Sequence, residues 1–159
     1  MDTCQFPVSF PPPQTMGEGE MNADSQAGKV PLSFWVIATL GLLWNALGAW
    51  FYIQARLDPN AVMAGAPQEM RDYVANMPLW ANIGYGFGIW GSFAGSVLML
   101  LRSRHAVTAF LVSLLGAVIS FSGQAMAGVL RPAEPALILT VIAFLWWFCR
   151  NEAAKGTLR

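Results

Sequence analysis

Few side chains in this sequence could do chemistry, and their positions decide what chemistry is open to it. The single histidine, His105, stands in the basic run Arg102-Ser103-Arg104-His105, and no nucleophile in the chain is paired with a plausible base. Cys4 and Cys149 sit at opposite ends, without the CxxC spacing or the histidine cluster that zinc requires. No glycine-rich phosphate loop precedes a helix. The expectation is a protein that is not an enzyme, with no metal site and no cofactor.

What remains is a set of uncharged polar residues embedded in apolar sequence: Asn45, Ser92, Ser113, Ser120, Gln124 and Thr140. Asn82 and Gln54 lie nearer the segment ends. One use for them is hydrogen bonding between helices, worth about 0.6 to 2 kcal/mol each. The other is a polar patch in which Asn45, Tyr52 and Gln124 donate to and accept from an uncharged, hydroxyl-rich solute. No ionisable group lies inside the apolar segments, so nothing there resembles the carboxylate or histidine relays that couple transport to protons.

The elements that must position these residues follow from composition. Of 159 residues, 55% are hydrophobic and only 11% are charged. A soluble domain carries about 25% charged residues, so this chain could not clothe a water-facing surface. Nine basic residues balance nine acidic ones, which leaves no cationic field for nucleic acid. Four stretches lack Asp, Glu, Lys and Arg: about 32–53, 79–101, 106–130 and 135–149. A membrane span needs about 17 to 25 residues, which the first three satisfy and the fourth, by its charge-free length, does not. The fold class expected is all-α: an integral membrane four-helix bundle, residues 31–159, behind a disordered N-terminal tail. That tail, 1–30, holds Pro7, Pro11, Pro12 and Pro13 and then a polar run without apolar period. It lacks the basic start and apolar core of a signal peptide. A start of translation at Met21 is a second account of it.

Charge favours four spans over three. With both termini in the cytoplasm, Lys29, Arg102, Arg104, Arg150, Lys155 and Arg159 lie inside, against Arg56, Arg71 and Arg131 outside. Trp35, Trp50, Trp80, Trp146 and Trp147 fall near span ends, where indoles favour the interface, while Trp44 and Trp90 fall near mid-span. In the long connection, 55–78, the stripe Met70, Tyr73, Val74, Met77 predicts a short helix at about 67–77. It would lie on the outer membrane surface, or serve as a lid over an opening.

Small residues recur at spacings of three and four, which keeps them on one helical face. The second span has Gly84, Gly88, Gly91 and Gly95; the third has Ala109, Ser113, Gly116, Ser120, Gly123 and Ala127. The first aligns Ala38, Gly41, Asn45, Gly48 and Tyr52, and the fourth offers Ala136, Thr140 and Ala143. In lipid, close approach along small residues drives helix association, so these faces predict a bundle packed on itself. A homodimer seam and glycine-mediated bending are the alternatives. Cys149 reads as a small packing residue, with lipidation as the functional alternative.

From about Val30 onward, "WVIATLGLLWNALGAWFY", "MPLWANIGYGFGIWGSFAGSVLMLLRSR", "HAVTAFLVSLLG" and "WWFCRNEAAKGTLR" resemble a family of small four-span inner-membrane proteins of proteobacteria labelled "sugar transporter". The resemblance implies the architecture and a bacterial inner-membrane location, and supplies no ligand residues; the long proline-bearing tail departs from the family. The function expected is a small component that packs or assembles with other membrane proteins. The alternative is an oligomeric carrier of small neutral solutes such as sugars. The partners are then the lipid bilayer and either further copies of the chain or other membrane proteins. The first and second halves share no evident repeat of the kind many carriers show.

Overall fold

The structure, a computed structural model, describes residues 30–159. The expectations for the tail, for a start at Met21 and for Cys4 and Lys29 fall outside the described residues. Six helices follow in order: α1 (Leu32–Leu57), α2 (Pro59–Val62), α3 (Gln68–Ala75), α4 (Leu79–Leu100), α5 (His105–Met126) and α6 (Ala133–Ala154). Four of them, α1, α4, α5 and α6, are long and apolar enough to cross a membrane. A helix of 22 residues, the length of α4, α5 and α6, rises about 33 Å, matching a hydrocarbon core about 30 Å thick. Their outer surfaces expose large apolar side chains, among them Leu40, Leu43, Phe87 and Leu115. This is the organisation of a multi-pass membrane protein.

The helix bounds differ from the charge-free stretches. α1 runs on through Gln54 and Arg56. α6 begins before the proline and extends through Arg150-Asn151-Glu152, so the fourth stretch, fifteen residues by its sequence, becomes a helix of 22. Charge marks where a helix leaves the hydrocarbon and not where its hydrogen bonding stops. α5 stops sooner than its apolar run, because Gly128, at φ 72°, reverses the chain and Val129 N–H donates to the Gln124 carbonyl at 3.1 Å. This closure of a helix end needs a left-handed residue, which glycine supplies without strain.

α4 packs on α1 and, most intimately, on α5, and α5 packs on α6; α1 and α6 are not paired along their length. The end of the bundle where α1 begins and α6 finishes, the terminal end, is laced by the C-terminal residues. Arg159 N–H donates to the Arg102 carbonyl (2.7 Å), and Arg104 N–H to the Arg159 carbonyl (2.9 Å). The Arg102 Nε donates to the Thr157 carbonyl at 3.0 Å. These bonds hold Arg102 at φ 58°, the one non-glycine in the left-handed region among the described residues.

The small-residue faces meet as close contacts between α4 and α5. A Cβ on Gly116 would fall 2.7 Å from the Gly84 carbonyl oxygen and 2.7 Å from the Gly88 nitrogen, and one on Gly91 would fall 3.1 Å from Ser113 Cα. Ser113 Oγ donates across the seam to the Gly88 carbonyl at 2.6 Å. Gly95 receives the ring of Phe110, and Gly123 faces Ala81 and Tyr73. On α1 the buried face is Phe34, Ala38, Gly41, Asn45 and Ala49, with Gly48 and Tyr52 at its half-buried edge.

The fourth helix departs from its expected face. Ala136 and Thr140 are exposed and Ala143 is half-buried; the buried residues are Pro135, Ile142, Leu145, Cys149 and Glu152. Thr140 satisfies its hydroxyl on the Ala136 carbonyl of its own helix at 2.6 Å. α6 packs by large side chains: Leu145 enters the notch at Gly41, where an added Cβ would be 3.1 Å from its Cδ2. Cys149 is fully buried, its Sγ 3.2 Å from Met99 Sδ, so the packing role fits its surroundings.

Candidate functional site

Between the four long helices, at the end of the bundle carrying the 55–78 connection (the loop end), lies a cavity of about 790 Å³. Its size falls within the range of roughly 300 to 1,000 Å³ typical of small-molecule sites. Its floor, nearest mid-span, is polar and uncharged. Asn45 of α1, Ser92 of α4 and Ser120 of α5 line it, 5%, 5% and 2% exposed. Asn45 Nδ2 donates to Ser96 Oγ at 2.7 Å, and Ser96 Oγ donates to the Ser92 carbonyl at 3.0 Å. That bond uses one donor of the amide and leaves its carbonyl oxygen for a ligand. Ser120 Oγ has no hydrogen-bond partner among the described residues. A buried hydroxyl without a partner costs about 1–3 kcal/mol, a deficit that a bound polar group would remove.

The walls are apolar and aromatic, with Trp44, Leu47 and Phe51 from α1, Ile89 from α4, Phe121 from α5 and Ile138 from α6. At the mouth stand Arg56, Asn82, Tyr85, Gln124, Arg131 and Glu134. Arg56 donates to Asn82 Oδ1 and, at 3.2 Å, to Tyr52 Oη. Its guanidinium also lies 5.1 Å from the Tyr52 ring centroid, and that ring is 5.1 Å from Tyr85. Tyr52 thus holds Arg56 and Tyr85 in place, and does not itself line the cavity.

The roof comes from the long connection. α2 starts at Pro59, which occupies its first turn, with Asp58 Oδ1 accepting from Ala61 N–H at 3.1 Å. α3 keeps Gln68, Glu69, Arg71 and Asp72 exposed and turns its stripe inward: Met70, Val74 and Met77 line the cavity with Met63. Tyr73 packs its hydroxyl toward Gly123, and burial pushes that hydroxyl's pKa above its ordinary 10.0. The predicted helix therefore covers the bundle end. Its apolar stripe is half-buried, turned toward the cavity and the Gly123 end of α5, as a lid would have it.

Of the residues expected to bind a solute, the structure brings Asn45 and Gln124 to one cavity and sets Tyr52 behind it. Of those expected to pack helices, Gly41, Gly84, Gly88, Gly95, Gly116 and Gly123 are buried at helix contacts, and Gly91 sits against Ser113. Gly48 is half-buried, with Ile89 Cδ1 at 3.8 Å from a built Cβ. Ser120, expected on the packing face, also lines the cavity. Sequence reasoning missed Arg56, Arg131 and Glu134, because each lies outside the apolar stretch and no local pattern ties it to a site; the polar floor was visible as Ser92 and Ser120 within spans. Among the described residues no three His, Cys, Asp or Glu side chains group to hold a metal ion. Comparisons with protein families, with curated proteins and with solved structures find no significant match to this chain.

Proposed function

We propose that this protein is a non-catalytic, membrane-embedded binding protein, and a carrier, for small uncharged molecules. In this reading it sits in a bacterial inner membrane with both termini in the cytoplasm, so that the cavity opens toward the outer side. The observation that supports it is the cavity itself, where uncharged polar side chains from three helices meet, one of them, Ser120, buried without a partner. The "sugar transporter" label of the family that the sequence resembles agrees with such a ligand.

The sequence also allowed a small packing or assembly component that associates with other membrane proteins. The small-residue stripes on α4 and α5 are used against each other, as a self-packed bundle requires, so an assembly role would have to use other faces. The test is saturable binding or uptake by the purified protein in lipid, across a panel of sugars, polyols and their alkyl conjugates. Asn45→Leu and Gln124→Leu should each abolish it, the first with some loss of thermal stability, since Asn45 also bonds Ser96, and the second, at a half-buried residue of the cavity mouth, with thermal unfolding close to that of the parent. If no compound of the panel binds saturably, the reading fails. Activity that survives both substitutions would reduce these residues to bonding between helices.

A further inference from the structure

We propose that the ligand of this cavity is an amphiphile with an uncharged, hydrogen-bonding head and an apolar tail, admitted sideways from the bilayer between α1 and α6. The proposal rests on the reading of the cavity as a binding site and adds to it the class of ligand and the route.

The route follows from how the helices part. α1 and α6 meet toward the terminal end, where Phe34 stacks on Phe148 with ring centroids 6.1 Å apart and Leu145 fills the notch at Gly41. Their backbones are not paired along their length, and toward the loop end Leu47 and Phe51 of α1 and Ile138 of α6 line the cavity. There α1 presents Trp44, Leu47 and Phe51, three and four residues apart and so on one face. All three line the cavity, yet they are 43%, 57% and 61% exposed. Side chains that bound a cavity and also face outward at the depth of a span mark an opening toward lipid. Toward water the same cavity is lined by Met63, Met70, Val74 and Met77 together with the charged Arg56, Arg131 and Glu134 of its mouth. A molecule dissolved in the bilayer does not have to pass them.

The head follows from the floor. Ser120, with its unpartnered Oγ, is 2% exposed, and Asn45 and Ser92 are 5% exposed. None is charged. A carboxylate or ammonium brought to that depth would lose its hydration against neutral partners, a penalty of several kcal/mol. A hydroxyl or carbonyl needs only one or two hydrogen bonds, which these side chains offer. The tail then lies along the aromatic and branched wall of α1 and α6, where an all-polar solute would leave apolar surface unmatched.

The probe is a monoacylglycerol with bromine atoms on its acyl chain, added to the full-length protein in lipid nanodiscs while tryptophan fluorescence is read. Bromine quenches at contact, so quenching should contain a saturable part, over the linear part from lipid-facing indoles, that disappears in Trp44→Phe. Unbrominated monoacylglycerol should displace it. The alkyl sulfonate of the same chain length, which stays ionised, should not. Ser120→Val, of nearly equal volume, should weaken the saturable part about tenfold, the loss of one buried hydrogen bond. Competition by the alkyl sulfonate as effective as by the monoacylglycerol would overturn the uncharged head. If glycerol or glucose alone bound saturably, dependent on Ser120, with no gain from an acyl chain, the amphiphile and its lateral route would fall and the binding site would stand. Should neither head group nor amphiphile saturate, both this inference and the reading beneath it are wrong.

Discussion

Replacing Gly116 by alanine is expected to loosen the bundle far more than the same change at Gly86. A Cβ at Gly116 would lie 2.7 Å from both the Gly84 carbonyl oxygen and the Gly88 nitrogen. Both are backbone atoms, so no side chain can swing aside. Relief requires α4 and α5 to separate by roughly 0.5–1 Å, a gap that forfeits about a quarter to a half of each dispersion contact along the seam. Overpacking of this kind costs about 1 to 3 kcal/mol, and a clash on two backbone atoms belongs in the upper part of that range. At Gly86 the nearest atom to a new Cβ is Tyr52 Oη at 3.6 Å, an ordinary contact. Helix propensity does not separate the two sites. Both lie inside helices, and helices separated in a membrane or detergent keep their internal hydrogen bonds. Reversible unfolding in mixed micelles, followed by the loss of interhelical contact, reads the difference. We expect Gly116→Ala to lose about 2 to 3 kcal/mol and Gly86→Ala to change by less than about 0.5. Gly88→Ala, with its Cβ 3.3 Å from Ala117 N, should fall between. Equal stability of Gly116→Ala and Gly86→Ala would refute the seam. If instead Gly116→Ala stayed a stable monomer but lost a dimer present in the parent, the seam would lie between subunits.

Cysteines introduced at Asn60 and Ala154, both exposed, test the orientation: on intact cells a membrane-impermeant thiol reagent should label the first and spare the second, and the reverse pattern would invert the topology. Cys149 is a poor reporter of sidedness, since it is 0% exposed and should stay unlabelled from either face. Tyr73→Phe removes a buried hydroxyl that has no partner, so the variant should be at least as stable as the parent, with a gain of up to about 1–3 kcal/mol on unfolding. The same hydroxyl predicts a pH dependence. Because burial raises its pKa, the docked α3 keeps its proton to higher pH than the undocked one, so docking is full below pH 10 and weakens as pH rises from there through the raised value. The protection of residues 68–75 from hydrogen exchange, relative to the base-catalysed rate of the free amides, should fall over that window in the parent and not in Tyr73→Phe.

Three of the four long helices were legible because a charge-free run of span length leaves the backbone little choice in lipid, and the fourth, with fifteen charge-free residues, through the placement of basic residues. Their ends were not, since Arg56, Glu134, Arg150 and Glu152 continue a helix that hydropathy has already let go. The stripes on α4 and α5 were legible for a physical reason: backbone can meet backbone only where side chains are absent. α6 offers no such guide, since its Ala136, Thr140 and Ala143 align as well as Ile142, Leu145 and Cys149 do, and only the second set is turned inward. On a helix apolar all round, composition does not say which face turns inward. The stripe of α3 was visible as an apolar face, but whether it met lipid or protein depended on a gap in the bundle that only the packing of the other helices creates. Likewise the local pattern linked Tyr52 to Asn45 by one helical face, and the structure turns Tyr52 toward the neighbouring Tyr85 and Arg56.

The cavity and the glycine seam are consequences of one another. Four helices of similar width can close a bundle symmetrically only if each neighbouring pair approaches equally. Here α4 and α5 approach to backbone contact, while α6 meets α1 through Leu145 and Phe148, side chains that hold the axes apart. The slack collects between α1 and α6. Toward the terminal end the rings of Phe34 and Phe148 fill it, and toward the loop end it is the cavity above Asn45, Ser92 and Ser120. On this argument a change that relaxes the seam should also narrow the cavity. Gly116→Ala, by moving α5 and the α6 that follows it, is then expected to weaken ligand binding although no atom of Gly116 lines the cavity. A variant as unstable as Gly116→Ala that bound ligand with unchanged affinity would separate the two.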